Sequence, residues 1–189
     1  LGIPTSYSTK LMSELTGRKA STLHRLLEVD FSQGQEFPRF KRNDKNTLKC
    51  DVLIVDEMSM VDVFLFESLL AALRSGCRLV LVGDADQVPS RGTGNVLRGI
   101  LDSGVVPVVA LTEILRQAAQ SLIVKNAHRT VSGALPENGS RPDAFFFLHA
   151  YGRECQEPVR SLVPQRLPQS YGFLPVEDIQ ELCPGRKGP

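Results

Sequence analysis

Two adjacent carboxylates, Asp56 and Glu57, follow the apolar residues Val52 to Val55 in the run DVLIVDEMSM at 51–60. In an open parallel sheet, ligands meet the carboxyl ends of the strands, where a first Asp can hold Mg²⁺ and a following Glu can activate water beside a phosphoryl group. A second run, RLVLVGDADQVPS, ends in the same way on Gly83 and Asp84, with Asp86 and Gln87 behind them. One such ending is a short pattern that a helix cap explains as well, and Ser59 with Asp62 reads as a capping pair before the apolar stretch Val61 to Leu73. Two strand ends that deliver acids and an amide to one edge are harder to ascribe to chance. A third element, LTEILRQ at 111–117, puts Arg116 at the start of a following helix. Its guanidinium is a fixed fork of donors suited to phosphate oxygens, although a salt bridge to Glu113 explains it equally when judged alone.

Groups that must meet a phosphate need a rigid frame, and the sequence offers one as short apolar runs alternating with helical periodicity. Strands are expected at DVLIVD, at CRLVLVGD (77–84), at VVPVVAL (105–111), at AFFFLHA (144–150) and at DIQELC (178–183). Between them Val61, Phe64, Leu65, Leu69 and Ala72 share one helical stripe, and Ala119, Leu122, Ile123, Ala127 and Val131 share another. This alternation predicts an α/β fold with a parallel sheet and helices on both faces, in which Val52 to Val55 is buried on both sides. Two stretches break the alternation. SGALPENGSRPD (132–143) reads as a surface loop. LEVDFSQGQEFPRFKRNDKN (27–46) reads as a β-hairpin projecting from the sheet, with Val29, Phe31, Phe37 and Phe40 flanking a polar turn and Pro38 keeping it at an edge.

Composition narrows the class further. With 42% hydrophobic and 23% charged residues, the 189-residue chain has a globular make-up and the length to bury a substantial core. No segment is apolar enough to span a bilayer and no signal-peptide pattern opens the chain, so no membrane partner is expected. A net charge of +1 means that any nucleic-acid surface is a local patch. Cys50, Cys77, Cys155 and Cys183 lie far apart with no C-x-x-C, which argues against a zinc site or a disulfide framework and for a reducing cytoplasm.

Taken in order, the segments IPTSYSTKLMSELTGRKASTLHRLLE, LIVDEMSMVD, LVLVGDADQVPSRGTGNVL, VVALTEILRQ, IVKNAHRTVSGALP and YGFLPVEDIQELCPGRKGP resemble RecD-type DNA helicases of superfamily 1, the family of the exonuclease V alpha chain. The resemblance runs from Leu1 to Pro189. Each motif is weak alone; the ordered series is specific. It implies a RecA-like P-loop NTPase helicase motor that couples ATP hydrolysis to single-strand translocation and duplex unwinding, 5′ to 3′, in DNA recombination and repair. ATP and Mg²⁺ follow as cofactors, single-stranded and duplex DNA as partners, and nuclease or helicase chains as partner subunits.

Carried over residue by residue, the resemblance makes Asp56 the Mg²⁺ ligand and Glu57 the residue that polarises the attacking water. Gln87 would sense the γ-phosphate, and Arg116 would contact that phosphate from a second motor domain. Pro4 and Thr5 match the first strand-contacting motif, and Ser21, Thr22 and His24 match the second; hydroxyls and an imidazole contact phosphate and sugar without reading sequence. The hairpin matches the pin that splits the duplex, with Phe31, Phe37 and Phe40 placed to stack on a base pair. Without the resemblance, His24 reads as a packed helix residue and the Phe residues as the packing of a small hairpin.

The chain departs from the family pattern at Ser6 and Tyr7, where small residues are usual, at Arg91, and at Glu181 in an expected strand. It contains no G-x-x-x-x-G-K-[ST] phosphate loop, since LTGRKAST and CPGRKGP have neither the spacing nor a preceding strand. An internal piece of a longer protein is therefore expected, inactive by itself. Residues 1–116 would be a first RecA-like motor domain without its phosphate loop, 28–48 its inserted hairpin, and 117–189 part of a second motor domain. Two other readings stay open: a DNA-translocating ATPase that does not unwind, which deleting the hairpin would discriminate, and a non-catalytic DNA-binding subunit, against which the joint presence of Asp56, Glu57, Gln87 and Arg116 speaks.

Overall fold

The computed structural model describes residues 1–30, 39–111, 121–138, 145, 146, 148, 150, 154 and 156–182. The chain divides into two compact units, Leu1–Thr112 and Glu113–Pro189. The first unit runs β1 (Gly2–Ile3), α1 (Ser6–Thr16), β2 (Ser21–Thr22), α2 (Leu23–Leu26), β3 (Val29–Asp30), β4 (Arg39–Phe40), β5 (Val52–Val55), a 3₁₀ turn (Met58–Met60), α3 (Val63–Ala72), β6 (Arg78–Leu81) and α4 (Val96–Ser103). Four of these strands form a parallel sheet in the order β2-β1-β5-β6, and β3 pairs with β4 separately. Parallel neighbours require crossover connections; α1 joins β1 to β2, and α3 joins β5 to β6.

Register is set by the longest pair, where Val52 lies opposite Arg78 and Val55 opposite Leu81. Gly2 then lies opposite Val55 on the other side. A Cβ on Gly2 would come 2.7 Å from Leu23 Cδ2, so glycine is what lets α2 lie against β1. α3 starts where the Asp62 carboxylate accepts the Leu65 N–H at 2.8 Å, a side-chain cap for an otherwise unpaired donor. Val61, Leu65, Leu69 and Ala72 are buried in one core with Leu53, Val55, Met58, Leu23, Leu27 and Leu97. Phe64, assigned to the same stripe from sequence, is 48% exposed, because it sits about 100° around the helix from Leu65.

The strand that bears the acids is buried on one face only. Leu53 and Val55 are 3% and 0% exposed, whereas Val52 and Ile54 are 48% and 37% exposed. This corrects the expectation of burial on both sides. Successive strand side chains alternate between faces, and among the described residues only the Leu53 and Val55 face of β5 is closed over.

Three expected strands do not form among the described residues. Residues 105–111 carry no regular structure, with Val109 and Leu111 at 90% and 97% exposed. The described parts of 144–150 and 178–183 are not strands either. A strand takes its ladder bonds from a neighbour, so an apolar run becomes one only where a sheet edge receives it.

In the second unit, α5 (Leu122–Val131), α6 (Gln156–Ser161), a π turn (Leu162–Arg166) and α7 (Leu167–Tyr171) are helical. Ile123 and Val131, expected on a buried stripe, are 60% and 58% exposed, and Asn126 is buried in their place. Its amide donates to the Glu137 carbonyl at 2.7 Å and accepts the Glu137 N–H at 2.8 Å, which satisfies the polar group that burial would otherwise penalise. No helix among the described residues is long and apolar enough to cross a membrane.

Candidate functional site at the carboxyl edge of the sheet

Because the four strands are parallel, their carboxyl ends share one edge. Pro4 and Thr5 follow β1, Ser21 and Thr22 form β2 and lead to His24, Asp56 and Glu57 follow β5, and Gly83 and Asp84 lie just past β6. The Asp56 N–H donates to the Gly2 carbonyl at 3.0 Å, which ties the acid-bearing strand to the strand before Pro4.

The abrupt end of β5 has a backbone cause. Glu57 is left-handed, with φ 57° and ψ 42°, a conformation disfavoured for a residue with a Cβ. The Asp56 carboxylate accepts the Glu57 N–H at 2.9 Å, and the Met58 N–H donates to the Val82 carbonyl at 3.0 Å, so the turn is pinned at both ends. A Cβ on Gly83 would lie 3.0 Å from the Met58 nitrogen, which makes glycine the residue that lets this turn approach β6. Backbone strain held by its surroundings is concentrated at functional sites.

Past β6, the Asp84 carboxylate accepts the Asp86 N–H at 3.0 Å, and its carbonyl accepts the Gln87 N–H at 3.3 Å. Asp84 therefore shapes a turn that leaves the Gln87 side chain exposed. Asp86 is occupied by Arg98, whose guanidinium lies 3.3 Å from its carboxylate. Thr5 precedes α1, with its hydroxyl 3.1 Å from that of Ser8. The Thr22 hydroxyl accepts the Arg25 N–H at 3.3 Å and so caps α2. His24 is exposed, and its ring centroid lies 5.9 Å from that of Phe40. Phe31, Phe37 and Arg116 lie outside the described residues.

The donor set bears on whether a metal fits. One Asp56 oxygen is taken by the Glu57 N–H, and among the described residues no group of three or more His, Cys, Asp or Glu could hold a metal ion. That pattern fits Mg²⁺ held through one carboxylate and nucleotide phosphates rather than caged by protein. The buried Ser59 hydroxyl, two residues beyond Glu57, has no hydrogen-bond partner. Sequence reading assigned Ser59 to a helix cap, a role that Asp62 fills alone.

The AAA domain family matches residues 1–93. The ATP-dependent RecD2 DNA helicase of Deinococcus radiodurans is 40% identical over 138 residues, 73% of this chain and 18% of that protein. The RecBCD enzyme subunit RecD of Mycobacterium tuberculosis is 43% identical over 97 residues, 51% of this chain and 16% of that protein. The Pif1 helicase from Bacteroides in complex with ADP-AlF3 and ssDNA aligns with a TM-score of 0.47 at 20% identity, covering 90% of this chain and 41% of that one. The chain thus spans less than a fifth of the length of either curated relative. A parallel α/β sheet with paired acids at its carboxyl edge fits a RecA-like helicase motor. Within that class, the chain is similar to the RecD-type DNA helicases.

Proposed function

We propose that the protein carrying this chain is an ATP-dependent DNA helicase that moves 5′ to 3′ along one strand and separates the duplex ahead of it, in recombination and repair in the cytoplasm. The observation that carries this reading is the single sheet edge at which Asp56 and Glu57 stand beside Pro4 and Thr5, joined by the Asp56 to Gly2 hydrogen bond. A motor needs this adjacency, because a change at the phosphate must reach the strand being pulled.

Asp56 would hold Mg²⁺, which when bound neutralises charge on the phosphates of ATP. Glu57 orients and polarises water, Gln87 reports the γ-phosphate, and Arg116 meets that phosphate. Pro4, Thr5, Ser21, Thr22 and His24 bear on the single strand, and Phe31, Phe37 and Phe40 belong to the duplex-splitting pin. Residues 1–116 form the first motor domain, with 28–48 inserted, and 117–189 open the second. The Deinococcus relative's description as a DNA helicase supports the activity, and the Mycobacterium relative's place in RecBCD supports partner subunits of nuclease or helicase type. Without a phosphate loop, the 189-residue chain is inactive alone.

The test is ATP hydrolysis and forked-duplex unwinding by the full-length protein, with and without single-stranded DNA. Stimulated hydrolysis together with strand separation is the expected result. Hydrolysis without separation would make it a translocase, and no hydrolysis at all would make it a DNA-binding subunit.

A further inference from the structure

We propose that the ion pair between Glu28 and Arg42 is a positioning clamp that fixes the β3–β4 hairpin against the DNA-contacting helix α2, so that strand separation depends on it while ATP hydrolysis does not. The proposal rests on the helicase reading above and adds residues that the family motifs do not include.

The observation begins with Glu28, left-handed at φ 55° and, with Glu57, one of two non-glycine residues of positive φ among those described. Such a conformation persists only where neighbours over-determine it. The Glu28 backbone N–H, its carbonyl and one carboxylate oxygen are all engaged. Its N–H donates to the Arg25 carbonyl at 3.2 Å, and its carbonyl accepts the Lys41 N–H at 3.1 Å. Its carboxylate accepts Arg42 Nε at 2.8 Å and Arg42 Nη2 through the same oxygen. The Arg42 N–H donates in turn to the Leu27 carbonyl at 3.1 Å. The remaining guanidinium nitrogen, Nη1, reaches Asn46 Oδ1 at 3.2 Å and the Thr47 carbonyl at 3.4 Å.

One guanidinium therefore joins the end of α2, the returning strand β4 and the turn that leads to β5. Arg presents its donors in a rigid planar fork, which suits it to hold three segments at fixed angles. Phe40, adjacent on β4, extends the same connection to His24. An exposed ion pair contributes little to stability, so the value of this one lies in geometry. A wedge that must hold still while a motor draws DNA past it needs its root fixed to the element that grips the strand.

The experiment uses the full-length protein and the variants Arg42→Ala, Glu28→Gln and the swap Glu28→Arg with Arg42→Glu. For the two single variants, hydrolysis stimulated by single-stranded DNA should stay near wild type. Unwinding of a forked duplex should fall on the order of tenfold or more, the scale of loss that a small misplacement produces. The swap should recover part of that loss. Unwinding at the wild-type rate in both single variants would overturn the clamp alone, as would hydrolysis falling in parallel with unwinding. A wild-type protein that hydrolyses ATP on DNA but separates no duplex would overturn the helicase reading and the clamp with it.

Discussion

The Asp56 N–H lies 3.0 Å from the Gly2 carbonyl, a hydrogen bond between the strand that ends in two acids and the strand that ends at Pro4. Displacement of one strand end is thereby felt by the other. Both belong to a sheet whose remaining bonds are regular, so mechanical coupling across this edge needs no long path.

Replacing Glu57 with Gln in the full-length protein keeps the size and the left-handed turn but removes the carboxylate proposed to polarise water. Binding of Mg·ATP should survive, and turnover should drop on the order of 10²-fold or more, the typical loss when a catalytic base is removed. Steady-state hydrolysis beside a nucleotide-binding isotherm checks both halves, and turnover near wild type would remove Glu57 from its assigned role.

The 189-residue chain alone should not bind Mg·ATP in the micromolar range. On the proposed function, Asp56 would hold Mg²⁺ together with nucleotide phosphates, and the backbone cradle and Lys of a phosphate loop are not encoded in this sequence. Isothermal calorimetry decides the matter; a stoichiometric isotherm would place the nucleotide elsewhere.

Gly92→Ala should destabilise the first unit by about 1–3 kcal/mol, the range for forcing an extra methyl into packed surroundings. A Cβ there would lie 2.7 Å from the Cβ of Asp62, the residue that caps α3. Urea unfolding followed by circular dichroism gives the value, and an unchanged midpoint would mean that the Asp62 cap yields freely.

Burial raises the Cys50 thiol above its ordinary value of 9.0, and the Cys77 thiol 3.7 Å away raises it further. The native state thus holds this proton more tightly than the unfolded chain does. Its contribution to stability is complete below the unfolded value and is lost as pH rises through the folded one. Alkylation of Cys50, read peptide by peptide, should show a midpoint above 9.0 in the native chain and a lower one in guanidinium. Equal midpoints would show that the thiol is not shielded.

The sequence carried the alternation of β5, α3 and β6 clearly, because a continuous apolar run and a helical stripe each leave a period that can be read without partners. It carried the pairing of 29–30 with 39–40 through a different signal, apolar residues flanking the polar turn SQGQE. The stretch at 105–111 has an equally good apolar run and forms no strand, since pairing is decided by what lies alongside and not by the run itself. Asp56 and Glu57 were visible as residue types, whereas the left-handed turn at Glu57 was not, because nothing in a glutamate announces a positive φ. Cys50 and Cys77 appeared unrelated at a separation of 27 residues, and only the register of β5 on β6 brings their sulfurs within 3.7 Å. Glu28 and Arg42 were likewise ordinary surface charges until β3 and β4 paired.

Two backbone hydrogen bonds of 3.1 Å, from Lys41 N–H to the Glu28 carbonyl and from Arg42 N–H to the Leu27 carbonyl, join the two ends of the hairpin stem. Whatever lies beyond such a stem starts with its ends already together. Doubling the length of a flexible loop closed in this way costs only about 0.6 kcal/mol. The stem is therefore a splice point, at which a lineage can graft a longer, shorter or unrelated module while Val52 stays opposite Arg78.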